Sequence, residues 1–255
     1  MRDYKQVYIL AFLFIMFFFG ACKQNPARPL APAKEVTQIR KAVPSLNYEV
    51  RQPIIKTEKP PVLILLHGLG SNQNDLFSFA SLLPKELLVI CPQAPISLSE
   101  NRYSWFTLDR SSGGYKYNID EVVKTTQLLM QFIDEVSLKY NIDRQRIYIG
   151  GFSQGAITTL GATLLNPTKI AGLLCLSGNL YPEFKELAKK SDKLPAIFIS
   201  HGEEDAVLDI KNMESAQQFL EQLGYEINFN KYKAGHTIPK QNLRDMIIWL
   251  SSELK

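Results

Sequence analysis

Ser153 is the residue in this chain whose surroundings most directly suggest covalent chemistry. It lies between two glycines in the pattern Gly-x-Ser-x-Gly, residues 151–155. The apolar run 146–150 before this pattern predicts a strand, and the run 156–160 after it predicts a helix. A serine on a sharp strand-to-helix turn exposes its Oγ, and small neighbours let the strand and the helix come close together. The sequence therefore predicts that Ser153 is a nucleophile.

A serine hydroxyl needs a base that takes its proton, and the chain offers three histidines for that role. His67 and His201 each stand directly before a glycine at the end of a predicted core strand. His236 lies late in the chain, in a glycine-containing loop between the predicted strand 225–231 and the last helix. Where the nucleophile lies on such a turn, the expected chain order is serine, acid, histidine. We therefore predict that His236 is the general base.

The base in turn needs an acid that holds its tautomer. Four carboxylates follow the predicted strand 196–200: Glu203, Glu204, Asp205 and Asp209. We favour Asp205, because the short loop that carries it can turn back towards Ser153. The alternative is that Asp205 caps the helix predicted to follow, a role that Asp209 could fill equally well.

Acyl transfer also needs hydrogen-bond donors for the negative oxygen that forms during the reaction. The backbone N–H of Gln154, the residue after the nucleophile, stands at the start of a helix and is the first candidate. The second is the N–H of Leu69 in the glycine-containing loop 67–70, which follows an early strand. In this arrangement His67 braces the loop and takes no proton from Ser153.

Strands and helices alternate along the chain, which predicts an α/β fold with a mostly parallel central sheet and helices on both faces. An antiparallel N-terminal hairpin is expected from 36–43 and 46–52, across Pro44. The later strands are predicted at 62–66, 87–90, 146–149, 170–176, 196–200 and 225–231, and the clearest helices at 119–140, 211–223 and 241–250. Ligands bind at the carboxyl ends of such strands, and His67 and Ser153 both follow a strand directly.

The N-terminus predicts export from the cytoplasm. A short charged start and an apolar run of residues 7–20 have the form of a secretory signal, so residues 1–21 are interpreted as a signal peptide. Gly20 and Ala21 before Cys22 resemble the lipobox of bacterial lipoproteins, in which the cysteine is acylated. The alternatives are an uncleaved N-terminal anchor and a plain signal that is cut elsewhere. Each of these interpretations places the protein outside the cytoplasm, and the lipoprotein one predicts a lipid anchor in the membrane of a bacterial cell envelope.

The remaining chain divides into a proline-rich tether, residues 22–34, and one catalytic domain, residues 35–255. The formal net charge is only +4, and its lysines and arginines are scattered among acids, which argues against nucleic-acid binding. The chain contains neither a C-x-x-C nor an H-E-x-x-H pattern, so we expect no metal and no cofactor. The sequence leaves the oligomeric state open.

Seven motifs resemble those of the phospholipase/carboxylesterase family of α/β-hydrolases, which includes acyl-protein thioesterases and bacterial carboxylesterases. The resemblance implies an α/β-hydrolase fold, a catalytic triad of Ser153, Asp205 and His236, and oxyanion donors at Leu69 and Gln154. It further implies that Trp105 and Phe106 form a wall of the acyl pocket. The motifs, in family order, are LLHGLG (65–70), CPQAP (91–95), SWF (104–106), GGFSQGA (150–156), LSG (176–178), HGEED (201–205) and GHTI (235–238).

These observations lead to three functional hypotheses. The first is a serine carboxylesterase that hydrolyses small to medium acyl esters through an acyl-enzyme intermediate. The second keeps the same triad but acts as a lysophospholipase or thioesterase on long-chain acyl esters. The third is a non-catalytic envelope lipoprotein that binds a ligand on a hydrolase scaffold. The segment 108–117 is expected at the pocket entrance, where it either selects a polar or aromatic ester or forms a solvated loop.

Overall fold

The apolar runs that predicted the parallel strands are all found in one sheet of the computed structural model, which describes residues 45–109 and 116–255. The run 62–66 has every residue buried, as expected of a strand covered on both faces. The strands are β1 (Tyr48–Arg51), β2 (Val62–Leu66), β3 (Leu88–Pro92), β4 (Ile96–Ser99), β5 (Arg102–Ser104), β6 (Leu108–Asp109), β7 (Lys116–Tyr117), β8 (Ile147–Phe152), β9 (Gly172–Leu176), β10 (Ala196–Gly202) and β11 (Ile227–Tyr232).

Helices connect these strands. The long helix predicted at 119–140 is confirmed, with Asn118 as its N-cap and Asn141 in the left-handed conformation at its end. The helices are α1 (Asn74–Phe77), α2 (Ile119–Tyr140), α3 (Gln154–Leu165), α4 (Pro182–Leu187), α5 (Ile210–Gln222) and α6 (Lys240–Glu253).

The main sheet has seven strands in the order β1-β3-β2-β8-β9-β10-β11. Strand β1 runs antiparallel to β3, and the other neighbours are parallel. The second strand of the predicted N-terminal hairpin is therefore antiparallel as expected, and its partner in the described structure is β3. The first strand of that hairpin, 36–43, lies outside the described residues, as do the signal peptide, Cys22 and the tether. The chain between β3 and β8 forms two further two-stranded sheets, β4 with β5 and β6 with β7, which are separate from the main sheet.

Both faces of the sheet are covered, as the alternation of strands and helices predicted. Along β2, Val62, Ile64 and Leu66 belong to one buried apolar cluster, and Leu63 and Leu65 belong to a second. The first cluster takes in side chains of α2, α3 and α5, and the second takes in side chains of α1 and α6. Because successive strand residues point to opposite faces, this division places helices on either side of the sheet. In parallel strands the carboxyl ends share one edge, so the loops after β2, β8 and β10 meet there.

Candidate active site

Ser153 occupies the turn between β8 and α3 with φ 54° and ψ −116°. A positive φ is unfavourable for a residue with a Cβ, and such strained conformations persist only where the surrounding structure enforces them. Here the backbone N–H of Ser153 donates to the carbonyl of Leu176 on the neighbouring strand β9, at 2.9 Å. The strand-to-helix turn predicted from the sequence is therefore present with its expected backbone.

The second glycine of the motif is required by a close approach of two backbones. A Cβ on Gly155 would lie 2.2 Å from the carbonyl oxygen of Leu66 and 2.7 Å from that of His67. Gly151 in turn faces the backbone of Gly155, where a Cβ would lie 2.5 Å from its carbonyl carbon. Any side chain at these positions would push α3 away from the end of β2, and the nucleophile would move with the helix.

Three predicted residues from three separate loops come together in one hydrogen-bonded series. The Oγ of Ser153 lies 2.8 Å from Nε2 of His236, and Nδ1 of His236 lies 2.7 Å from Oδ2 of Asp205. An ionised carboxylate only accepts hydrogen bonds, so Nδ1 carries the proton of the neutral imidazole. Nε2 then has a free lone pair that accepts the hydroxyl proton of Ser153, which is the orientation that a general base requires.

The side chain of Asp205 is inaccessible to solvent, and both of its carboxylate oxygens accept hydrogen bonds. Its Oδ1 accepts the backbone N–H groups of Val207 and Leu208 at 2.8 and 2.9 Å. Burial opposes ionisation of this carboxyl, but the hydrogen bonds from Leu208, His236 and Val207 outweigh it and hold the pKa of Asp205 below its usual range. The capping role belongs to Asp209, which is the N-cap of α5 and accepts the N–H of Lys211 at 2.9 Å.

The loops that carry the acid and the base are joined through their backbones. Gly202 ends β10, and a Cβ there would lie 2.3 Å from the carbonyl oxygens of both Ala234 and Gly235. The N–H of Glu204 donates to the carbonyl of Ala234 at 3.0 Å. The glycine after His201 therefore lets the His236 loop lie directly against the strand that leads to Asp205, which sets the distance between acid and base.

The two predicted oxyanion donors flank the nucleophile at the same cavity. Leu69 and Gln154 both line it together with Ser153 and His236. Within residues 45–109 and 116–255, neither the N–H of Leu69 nor that of Gln154 donates to a protein acceptor. Gln154 begins α3, whose first N–H groups have no partner inside the helix and carry the positive end of its dipole.

His67 is buried behind the Leu69 loop and does not contact Ser153. Its Nδ1 lies 2.7 Å from the carbonyl oxygen of Gly68, and its Nε2 lies 3.1 Å from the backbone nitrogen of Ala94. The carbonyl requires a proton on Nδ1, and the N–H of Ala94 requires a lone pair on Nε2, so this ring is neutral. Burial lowers the pKa of His67, which favours the same form. The ring thereby connects the loop after β2 to the loop after β3.

The cavity beside Ser153 has a volume of about 990 Å³. Leu108 and Tyr117, the described ends of the segment 108–117, lie on its wall as expected, whereas 110–115 lie outside the described residues. Tyr117 stacks on Tyr181 with ring centroids 3.6 Å apart and donates to Glu183 at 2.9 Å, so this wall is anchored to α4. Other apolar lining residues are Ile96, Leu98, Ile157, Leu180, Val207 and Leu208.

The described residues hold no group of three or more His, Cys, Asp and Glu side chains that could bind a metal ion. In that same part of the chain, no helix has both the length and the apolar character needed to cross a membrane.

Comparison with known proteins decides the family. Residues 48–254 match the family model described as Phospholipase/Carboxylesterase. The chain belongs to the phospholipase/carboxylesterase family. This match confirms the resemblance drawn from the seven motifs, the α/β-hydrolase fold and the expectation of a serine hydrolase.

Relatives of this phospholipase/carboxylesterase-family protein carry two kinds of name. Acyl-protein thioesterase 1 of Candida albicans is 29% identical over 223 residues, which cover 80% of this chain and 96% of that protein. Probable carboxylesterase Os04g0669500 of Oryza sativa is 27% identical over 208 residues, covering 76% of this chain and 77% of the relative. The crystal structure of the Bacillus cereus carboxylesterase has a TM-score of 0.67 at 21% identity and covers 82% of this chain and 95% of its own.

Trp105 and Phe106, the predicted pocket wall, are placed elsewhere in this family member. Their exposed fractions are 1% and 0%, and both belong to the apolar core, while the flanking residues Ser104 and Thr107 reach the cavity. The indole N–H of Trp105 donates to the carbonyl of His67 at 2.9 Å. The expectation of an acyl-pocket wall is therefore corrected: the two aromatic side chains point inward and support the loops around the site from behind.

The side chain of Gln154 is a further structural element that the sequence reasoning missed. Its Oε1 accepts the N–H of Trp105 at 2.8 Å and the hydroxyl of Ser104 at 3.1 Å, while its Nε2 donates to the carbonyl of Phe106 at 2.6 Å. One buried amide thus pairs with both a backbone donor and a backbone acceptor of the loop that carries Trp105 and Phe106. A glutamine next to a predicted nucleophile, at the start of a buried helix, was the available signal, because a buried amide must have partners.

We expect Gln154→Ala to destabilise the protein and to lower turnover together. The change leaves the N–H of Trp105 buried without a partner, and the carbonyl of Phe106 keeps only the hydroxyl of Ser104 at 2.6 Å. A buried group that loses its partner costs about 1–3 kcal/mol. The free energy of unfolding, measured with urea, should therefore fall by about 2 kcal/mol or more, and kcat should fall because the Gln154 N–H is displaced. Gln131→Ala, which removes an exposed glutamine of α2, is the matched control and should change stability by less than about 0.5 kcal/mol.

Proposed function

We propose that this protein is a serine carboxylesterase that hydrolyses small to medium acyl esters with Ser153, His236 and Asp205 as its catalytic triad. The observation that carries the proposal is the unbroken series from Oγ of Ser153 through both ring nitrogens of His236 to Oδ2 of Asp205, at 2.8 and 2.7 Å. This series lies at a cavity large enough for an ester substrate, and the N–H groups of Leu69 and Gln154 beside it donate to no acceptor in the described part of the chain.

In the acylation step, Oγ of Ser153 attacks the ester carbonyl as His236 Nε2 takes the hydroxyl proton. The carbonyl oxygen becomes an oxyanion, and the N–H groups of Leu69 and Gln154 stabilise it. Asp205 stabilises the imidazolium that forms. His236 then gives its proton to the leaving alkoxide, so the alcohol departs and the acyl group stays on Ser153 as an ester.

In the deacylation step, water takes the place of the alcohol. His236 removes a proton from the water as its oxygen attacks the acyl carbonyl, and the same two N–H groups stabilise the second oxyanion. The bond to Oγ of Ser153 breaks, and His236 returns the proton to that oxygen. The acid product leaves, and the triad returns to its starting protonation, with a neutral His236 and an ionised Asp205, without a cofactor.

The acyl preference follows from the cavity, and a series of p-nitrophenyl esters tests it. The apolar wall favours aliphatic acyl groups, so kcat/KM of the full chain should rise from acetate to butyrate by roughly tenfold, about 0.8 kcal/mol for each buried CH₂. We expect octanoate to be accepted and palmitate to be poorer. A steady rise through palmitate would instead identify the long-chain lysophospholipase or thioesterase activity.

A thioesterase is the second candidate, because several relatives are named acyl-protein thioesterases. The same triad can attack a thioester, in which a thiolate leaves instead of an alkoxide. Butyrylcholine and butyrylthiocholine differ only in the scissile atom, so the ratio of their kcat/KM values measures the preference directly. A carboxylesterase should hydrolyse the oxygen ester readily, and activity confined to the sulfur compound would identify a thioesterase.

We further propose that Cys22 is acylated and anchors the protein to a membrane of a bacterial cell envelope. The support is the sequence alone: a charged start, an apolar run of residues 7–20 and small residues before the cysteine. Metabolic labelling of producing cells with an alkyne fatty acid should mark the wild-type protein and leave Cys22→Ala unmarked. Labelling of both proteins, or of neither, would exclude acylation at this residue.

A further inference from the structure

His201 is a buried histidine that the proposed reaction does not use. It is the penultimate residue of β10, its side chain has no exposed surface, and it lies directly before the glycine that admits the His236 loop. Its Nε2 lies 2.7 Å from the carbonyl oxygen of Leu208 and 3.3 Å from Oδ2 of Asp205. The carboxylate of Asp205 therefore has an imidazole on either side, and only one of them reaches Ser153.

The neighbours of His201 determine which of its nitrogens carries the proton. A backbone carbonyl and a carboxylate both only accept, so Nε2 of His201 must donate. Within residues 45–109 and 116–255, no hydrogen-bond partner reaches its Nδ1, which is itself buried. A second proton there would place a charged N–H in the interior without an acceptor, which is costly. His201 is therefore the neutral Nε2–H tautomer.

The loop 203–209, which carries Asp205 and is named the acid loop, is bonded to this ring at Leu208. Leu208 donates its N–H to Oδ1 of Asp205 at 2.9 Å, and its carbonyl accepts the proton of His201 at 2.7 Å. The second oxygen, Oδ2, faces both His201 and His236. The two carboxylate oxygens are thus held on opposite sides, one by loop amides and one between two imidazoles, so the carboxylate cannot rotate without losing a donor.

We propose that His201 is a positioning residue for Asp205: through Leu208 and Oδ2 it fixes the carboxylate in the orientation that holds His236. This role rests on the proposed function of the triad. If His201 were removed, the Leu208 carbonyl would lose its donor in the interior, and the loop could relax. Asp205 would then hold His236 in its productive orientation for a smaller fraction of the time, which lowers kcat while substrate binding at the cavity is unchanged.

Two substitutions separate this role from simple packing. In His201→Gln the side-chain amide places an N–H near the position of Nε2, whereas in His201→Asn the amide is too short to reach Leu208. For p-nitrophenyl butyrate and the full chain, we expect His201→Asn to lower kcat about tenfold, the effect of losing the one hydrogen bond to the Leu208 carbonyl, with KM changed less than about twofold. His201→Gln should restore kcat to within about threefold of wild type. Equal kcat values for folded wild type and His201→Asn, or a change in KM alone, would overturn the proposal.

A measurement on the wild-type protein tests the same placement without any substitution. The chain has only three histidines, so ¹⁵N-histidine labelling gives a simple NMR spectrum. His67 and His236 each face an acceptor at Nδ1, so both should be Nδ1–H tautomers, and His201 alone should be Nε2–H. Three Nδ1–H rings would overturn the proposal, even if both variants failed to fold. If the wild type hydrolysed no ester, the proposed function would fail. The tautomer of His201 would still show whether this ring donates to Leu208 and so holds the acid loop.

Discussion

Ser153→Ala is expected to lower kcat for p-nitrophenyl butyrate by about 10⁴-fold or more, as loss of the nucleophile does in serine hydrolases. Without Oγ no acyl-enzyme forms, and only the oxyanion donors and the bound geometry remain to accelerate attack by water. The fold should be unchanged, because the hydroxyl contacts His236 at the cavity and caps no helix. Steady-state rates and thermal unfolding of the same sample measure both expectations.

Ser252→Ala is the matched control, since Ser252 is an exposed residue near the end of α6 and its hydroxyl donates to the carbonyl of Trp249 in the same helix. Its kcat should equal that of the wild type. Substantial turnover by a folded Ser153→Ala protein, above a mock preparation, would mean that another residue carries the chemistry.

Asp205→Asn is the second large effect, and we expect kcat to fall by about 10⁴-fold, the size seen when the acid of a serine triad becomes an amide. The amide can present an N–H to Nδ1 of His236, which would move the ring proton to Nε2. His236 then has no lone pair for the hydroxyl of Ser153 and cannot act as its base. Single-turnover acylation, followed by release of p-nitrophenol, isolates the affected step.

The control for this change is Asp134→Asn, which alters a half-exposed acid of α2 that pairs with Arg144 and Lys169. Surface pairs contribute little, so its activity should match the wild type. If Asp205→Asn retained more than about a tenth of the wild-type acylation rate, Asp205 would not be the residue that sets the tautomer of His236.

The parts of this fold that could be predicted from sequence are those encoded by local patterns. The apolar run 62–66 and the amphipathic run 119–140 carry their own periodicity, so β2 and α2 have the predicted bounds. The nucleophile turn was likewise predictable, because the close contact with the end of β2 requires a glycine at position 155. Asp205 and His236 were then predicted as the partners of Ser153 from the expected order serine, acid, histidine and from the loops that carry them.

The parts that could not be predicted depend on contacts between distant residues. Strand β1 pairs with β3, where Tyr48 faces Pro92 across the sheet, and nothing near residue 48 in sequence specifies that partner. Trp105 and Phe106 look like a binding wall in a loop motif, but their orientation is set by backbone hydrogen bonds with the Gln154 amide and by the indole N–H that donates to the His67 carbonyl. A motif locates a loop, while the direction of each side chain depends on partners elsewhere in the chain.

Covalent labelling with a fluorophosphonate probe tests the central claim most directly. The probe reacts with a serine that a neighbouring base has activated, and mass spectrometry of the digested protein locates the adduct. We predict a single adduct on Ser153 in the folded full-length protein, and none in His236→Ala. No adduct on the folded wild type, or an adduct on a different serine, would contradict the triad and would favour the non-catalytic binding lipoprotein or another nucleophile.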